Sequence, residues 1–442
     1  MLKKTLYICV EIKHRELDSH VLLASKAVSA GYRVYIGTHA AIYALLKSKH
    51  SKAGILLDKS FQEITRMNWT KQFVESICIL DPELSPAIPS DQIESEVQAR
   101  VNKEAIGLVD KFFVTGLDMF NCCQRVFESN QDRVVYSGWP RIEMWEKYSK
   151  LIYHREVKNL KKKYGKFLLF ASSFNDIDDP ERAINLRKSF MPFATPFLSF
   201  ETRKLRFRNF LQAVDFLQSL ERNPTTPNIV LRPHPAEPVK VWRRALGRGK
   251  KIRIVSKGEV TKWLLASSGL LHNGSTVSIQ AHFNGVPAIY MSQVSDPLHT
   301  QTARQVSPKV FEYTLNGLNF EELVSNNKDY RPQILEGLVG PIGFSPLTSM
   351  IKEFQSLACG LEERHSLLAL WKSQISWKSA RRSLGLTRDE IYWRIGVSNI
   401  HPQLRVVPWG IQKHEISRVL HAVTFDKKVK LRRMTVNLWE FE

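Results

Sequence analysis

The feature that most limits the fold is a repeated change of period along the chain. Short apolar runs alternate with longer stretches in which apolar residues recur every three or four positions. TLYICV (5–10) reads as a strand and DSHVLLASKAVSAG (18–31) as a helix, with Asp18 as its N-cap and Gly31 closing it. RVYIG (33–37) and AAIYALLKSK (40–49) repeat the pair, and further strands begin near Gly54, Glu75 and Lys111. The alternation restarts at KFLLFAS (166–172). It runs through RNFLQAVDFLQSLERN (208–223), NIVLRPHP (228–235), KIRIVS (251–256), EVTKWLLASS (259–268), GLLHNG (269–274) and VPAIY (286–290). Apolar strands separated by helices imply parallel sheets covered on both faces. The chain is therefore read as α/β, with two Rossmann-like domains facing across a cleft. The first covers 1–150 and the second 151–345, and a basic, helical C-terminal extension follows over 346–442. A length of 442 residues suits more than one core. Such domains bind ligands beyond the carboxyl ends of their strands.

Composition excludes some classes and leaves others. No apolar run approaches the length that spans a bilayer. Glu11 interrupts the first apolar run, which reads as a strand and not as a secretory leader. Five cysteines form neither a CxxC pair nor a regular framework, so a reducing, cytoplasmic setting is expected. The net charge is +21, and it is unevenly spread. Residues 201–262 hold 15 Lys/Arg against 5 Asp/Glu, and residues 150–166 hold 7 against 1. A field of that sign attracts phosphate, nucleic acid or an anionic membrane surface without choosing among them.

Two loops carry the strongest chemical signal. In LLHNGSTVSIQAHFNGVPAIY (270–290) a buried-looking strand ends in Asn273, Gly274, Ser275 and Thr276 just where a helix begins. The first amides of a helix lack internal partners and favour an anion. The plainer reading is ordinary N-capping by Ser275. In NIVLRPHPAEP, Arg232 and His234 follow a strand directly, between stiffening prolines. Arg offers a planar fork to phosphate oxygens, and His a donor that can carry charge. The spacing between His234 and His272 accommodates one βα unit and one further helix, so both strand ends are expected on one edge of one sheet.

Carboxylates follow two strands of the first domain: Glu11 and Glu16 in EIKHRELDSH, and Asp81 and Glu83 in CILDPELSPAIP. Each is a candidate base or sugar-hydroxyl binder. Salt bridges and turn roles are the plainer alternative. Asp176, Asp178 and Asp179 read as a capping and turn segment. No HExxH, Walker loop or GxGxxG is present, and the histidines lack zinc-ligand spacing with the cysteines, so neither metal nor cofactor is expected.

With these residues in view, the chain resembles the bacterial surface carbohydrate biosynthesis proteins, glycosyltransferases of the two-Rossmann-domain GT-B type. The resemblance lies in YICVEIKHRELDSHVLLASKAVSAGYRVYIG, KFFVTGLDMF with VVYSGWPRIEMW, FLLFASSFN, and LRPHP with LLHNGSTVSIQAHFNGVPAI. It extends to capsule β-Kdo transferases. It implies metal-independent, retaining transfer of Kdo or a similar acidic sugar from a CMP donor to a surface polysaccharide or its lipid-linked precursor. By the same resemblance, Arg232 and His234 hold the donor phosphate, and Asn273, Gly274, Ser275 and Thr276 complete the seat. Gln280 stands where relatives often have a ribose-binding Glu. The loop DPELS departs from the expected Asp-Glu-Glu-Gly, which leaves the choice among Asp81, Glu83, Glu11, Glu16 and His234 as catalytic groups open. The basic, aromatic tail suits contact with the inner face of the cytoplasmic membrane, or packing against the domains. A polyol-phosphate transferase and a sugar-nucleotide 2-epimerase remain open as alternatives. So does a basic nucleic-acid-binding protein, although no RNA-binding motif is present and nucleic acid is not the expected partner.

Overall fold

The structure is a computed structural model that describes residues 2–48, 52–59, 63–81, 93–174, 200–222, 226–234, 237, 239–247, 249–256, 258–291, 307, 309–310, 343–366, 410–423, 429–435 and 437–442. These divide into two compact units. The first takes its residues from 1–85, 90–152 and 336–442, and the second from 153–335.

In the first unit, strands β1 (Lys3–Val10), β2 (Arg33–Thr38), β3 (Ile55–Asp58), β4 (Ser76–Leu80), β5 (Lys111–Val114) and β6 (Val134–Tyr136) pair in the order β2-β1-β3-β4-β5-β6. All these pairings are parallel. The order reverses between β1 and β3, a topological switch point of the kind beyond which α/β sheets bind ligands. Helix Lys13–Ser29 starts earlier than its sequence suggests. The Glu16 carboxylate accepts the amides of Glu11 at 2.7 Å and Ile12 at 3.2 Å, which satisfies the entry to the helix. Asp18, expected as the cap, therefore lies inside the helix and meets Arg418 Nη2 at 3.0 Å. Gly31, with φ at 95°, ends this stretch as expected.

In the second unit, strands β7 (Phe167–Ala171), β8 (Asn228–Arg232), β9 (Ile252–Ile254), β10 (Gly269–His272), β11 (Ala288–Tyr290) and β12 (Lys309–Val310) form a parallel sheet in the order β12-β11-β10-β7-β8-β9. Side chains alternate between two buried faces. Leu168, Phe170, Ile229, Leu231 and Leu271 pack with Phe210, Leu217 and Trp242, from helices Phe200–Arg222 and Val239–Leu246. Phe167, Leu169, Val230 and Leu270 pack on the other side with Trp263, Leu264 and Ala281, from helices Thr261–Ala266 and Val277–Phe283. Burial on both faces accounts for the near-continuous apolar strands. The switch point here lies between β7 and β10.

The C-terminal stretch supplies helices Pro346–Ser356 and Lys413–Ala422, both packed against helix Lys13–Ser29. It also supplies strands, which the sequence does not announce. β13 (Leu361–Glu362) pairs with β1, while β14 (Leu431–Thr435) and β15 (Leu438–Phe441) extend the first sheet beyond β2. The KLRRM segment, expected helical, is β14. Its Arg432 sits opposite Glu440 on β15, a cross-strand charge pair. The described part of the tail thus belongs to the first unit and does not form a third body. No helix among the described residues is long and apolar enough to cross a membrane.

Candidate functional site

Register decides what the second sheet brings together. Arg232 on β8 pairs with Ala171 on β7, and Ala171 pairs with His272 on β10. The two signal loops therefore leave the same edge of one sheet with a single strand between them. At the usual strand spacing their ends are about 10 Å apart. The β10 end lies at the switch point itself.

Arg232 is 9% exposed, and its Nη2 donates to the Gly258 carbonyl at 2.7 Å. Its guanidinium lies 5.7 Å from the centre of the Trp263 ring. Burial lowers its pKa to about 10, against the opposing charge of Glu259, so it stays cationic at neutral pH. His234, two residues further on, is exposed.

The β10 loop is fixed from inside. Asn273 is buried, its Oδ1 accepting the Ser173 amide at 2.8 Å. Gly274 takes φ of 110°, a turn that a side chain would strain. Ser275 Oγ accepts the Val277 amide at 3.3 Å, a local turn bond, while the N-cap of helix Val277–Phe283 is Thr276, whose side chain makes no cap bond. Thr276 is exposed beside it. His272 is fully buried, and burial lowers its pKa to about 3. Its Nδ1 accepts the Gly274 amide at 3.3 Å, so Nε2 carries the proton and donates to Ser307 Oγ at 2.8 Å. Gln280, expected at a ribose, is buried and donates instead to Thr261 Oγ1 on the neighbouring helix.

Glu237 was not visible as a site residue. Its carboxylate accepts Ser172 Oγ–H at 2.6 Å, the Phe174 amide at 2.6 Å and Trp242 Nε1–H at 2.7 Å. Its own amide donates to the His234 carbonyl at 2.8 Å. One buried carboxylate thus ties the β7 exit to the Arg232–His234 turn. Burial pushes its pKa up to about 7, and its hydrogen-bond donors, the His234 backbone among them, pull the other way. The sequence shows only a Glu in a proline-rich turn.

In the first unit, Glu11 pairs with Lys59 and keeps its side chain 42% exposed. Glu16 is buried and occupied with the helix entry; burial raises its pKa. Asp81 is 7% exposed and meets Arg100 at 3.4 Å. Glu83, Asp176, Asp178 and Asp179 lie outside the described residues. Also in this unit, Cys9, His39 and Asp58 converge at the ends of β1, β2 and β3, a grouping hidden by their sequence separation.

No protein-family model and no curated protein matches the chain. Among solved structures, a UDP-GlcNAc 2-epimerase from Methanocaldococcus jannaschii, in complex with UDP-GlcNAc and UDP, aligns with a TM-score of 0.46 at 11% identity, covering 80% of this chain and 99% of its own. A UDP-N-acetylglucosamine 2-epimerase from Rickettsia bellii gives 0.46 at 11%, over 86% of this chain and 100% of its own. The H444N variant of the wall teichoic acid polymerase TagF gives 0.44 at 10%, over 87% and 90%. Likenesses of this size assign neither substrate nor reaction to this chain.

Proposed function

We propose that the protein is a glycosyltransferase that moves a sugar from a nucleotide-linked donor to a surface glycan or its lipid-linked precursor. The preferred donor is a CMP-linked acidic sugar such as Kdo, and the donor phosphate sits at the exit of the second sheet. The observation that supports this reading is the register row Arg232–Ala171–His272, which sets the Arg-x-His-Pro and Asn-Gly-Ser-Thr loops on one edge around a switch point. The sequence resemblance to surface carbohydrate biosynthesis proteins supplies the reaction class.

In this reading Arg232 and His234 meet the charge that grows on the phosphate as the glycosidic bond breaks. Thr276, exposed beside the same loop, and the Ser275 region complete the seat, while Asn273 and Gly274 hold its shape. Charge-assisted hydrogen bonds contribute about 1.5–3 kcal/mol each, or roughly one to two powers of ten in rate. Of the described candidate carboxylates Glu11, Glu16 and Asp81, Glu11 keeps the most open side chain and is the proposed acid–base group.

A donor screen tests the proposal: CMP-Kdo, a CMP-sialic-type sugar, CDP-glycerol and UDP-GlcNAc, read as release of free nucleotide. Release from a CMP-sugar, lost by about a hundredfold in Arg232→Ala, is expected. Turnover of CDP-glycerol, or conversion of UDP-GlcNAc without any acceptor, would replace it with the polyol-phosphate transferase or the epimerase. Full activity in both Arg232→Ala and His234→Ala would remove the phosphate site.

A further inference from the structure

Cys9, His39 and Asp58 sit on three neighbouring strand ends of the first unit. The strand order is β2-β1-β3, and the parallel β1–β3 register, with Ile8 opposite Leu57, continues to bring Cys9 beside Asp58. On the other side of β1, Cys9 faces Gly37, and Thr38 then caps helix His39–Lys47 through its hydroxyl. His39 is thereby delivered as the first residue of that helix. The three side chains converge at the switch point of the first sheet, where an α/β fold opens beyond its strands.

We propose that these three residues bind a divalent transition-metal ion of the zinc type. Cys9 Sγ, a ring nitrogen of His39 and a carboxylate oxygen of Asp58 all lie within 4.8 Å of one another. That spread closes onto ordinary metal–ligand distances of about 2.0–2.3 Å with small side-chain rotations. Thiolate, imidazole and carboxylate together select a borderline ion over magnesium or calcium. Three protein ligands leave a further position for water or a substrate oxygen.

The surroundings hold the ligands in place. Tyr43 Oη donates to Asp58 Oδ2 at 2.7 Å, and the Lys59 amide donates to Asp58 Oδ1 at 2.7 Å. His39 Nε2 and Asp58 Oδ1 hydrogen-bond to each other at 2.5 Å, and on coordination that bond breaks and Nε2 gives up its proton so that both atoms can face the ion. The His39 ring stacks on Tyr43, which stacks on Trp69. Groups that orient a ligating carboxylate or imidazole in this way tune metal affinity. Cys9 and Asp58 are buried, while the His39 side chain, 30% exposed, gives the ion a way in. Arg66 acts electrostatically on all three groups and opposes a cation. The thiolate and carboxylate bring two negative charges that a dication balances. On coordination the Cys9 thiol proton leaves to solvent. The inference is independent of the sugar-transfer reading.

The test uses the full chain, stripped with a chelator and titrated with Co²⁺ and then Zn²⁺. One equivalent of Co²⁺ is expected to produce a thiolate-to-cobalt charge-transfer band, which Zn²⁺ displaces. Cys9→Ser removes the band, His39→Ala weakens binding by at least about tenfold, and Tyr43→Phe does so by about tenfold. Cys359→Ser leaves the band unchanged. Absence of the band at stoichiometric Co²⁺, its survival in Cys9→Ser, or its loss in Cys359→Ser overturns the site. Should Cys9→Ser not fold, wild-type affinity in His39→Ala overturns it equally.

Discussion

Asn273 binds both backbone polar groups of Ser173, its Oδ1 accepting the Ser173 amide at 2.8 Å and its Nδ2 donating to the Ser173 carbonyl at 3.3 Å. The ends of β10 and β7 are joined by one side chain, which sits one residue beyond β10. Replacing it with Ala removes both bonds and leaves partly buried backbone groups without them. A loss of about 1–3 kcal/mol in local stability is expected, read by hydrogen exchange at β7 and β10. Asn273→Asp keeps the acceptor and loses the donor, so its effect falls between. Wild-type protection in Asn273→Ala would make the pair dispensable.

Glu237 makes the second unit sensitive to pH. Its folded pKa, pushed up to about 7, lies above its unfolded value of about 4.5. Between those values the folded state holds more protons than the unfolded state, so stability falls as pH rises through this window. The full contribution is present below the unfolded value and is lost above the folded one, on the order of 3 kcal/mol. Glu237→Gln is expected to flatten the slope while lowering stability throughout, since an amide cannot accept from Ser172, Phe174 and Trp242 together. Denaturation of both proteins across the window checks it; parallel slopes would place the titrating group elsewhere.

His272 should remain neutral through the physiological range. Its pKa, lowered by burial to about 3, sits beneath an unfolded value near 6.5. The folded state therefore resists protonation, and this stability is lost as pH falls through that interval. Nitrogen-15 NMR of the imidazole is expected to show the Nε2–H tautomer and no titration above about pH 4. A midpoint near 6.5 would contradict the buried assignment.

Glu440 concentrates charge at the joint between β15 and β2. Arg364 Nε meets it at 2.8 Å, Arg33 Nε at 3.5 Å and Tyr35 Oη at 3.2 Å, with Glu440 0% and Arg33 1% exposed. Glu440→Ala removes one of the two carboxylates that face buried Arg33 and leaves Glu442 Oε1, 3.3 Å from its Nη2, as the other, at a cost of about 1–3 kcal/mol. Chemical denaturation measures it. A loss below about 1 kcal/mol would mean that Glu442 alone balances Arg33.

Most strands between Thr5 and Tyr290 were legible because both faces of each sheet are covered; β6, three residues with two of them half-buried, was not. Runs such as ICIL and FLLFA then carry no polar residue at all, and their order along the chain follows from the helices between them. β14 was not legible, since Arg432 and Arg433 make it look like a charged helix face and only the pairing with β15 explains them. Within the candidate site, Arg232, His234 and the Asn273–Thr276 loop stand out by motif chemistry, and the sheet register sets the two loops on one edge. Glu237 could not, because its meaning rests on Ser172, Phe174 and Trp242, which approach it only after folding. Cys9, His39 and Asp58 were hidden for the same reason: their nearness is a property of strand order, and no local spacing encodes it.

Gly37 on β2 sits opposite Leu438 on β15, and the second unit is built from residues that lie between them in the chain. During synthesis the ribosome therefore releases the whole of the second sheet before the partner of β2 emerges. Until then β2 presents a bare edge, and the nascent first unit carries an unfinished sheet while its neighbour can already fold. The half of the molecule that is translated first is the half that is completed last.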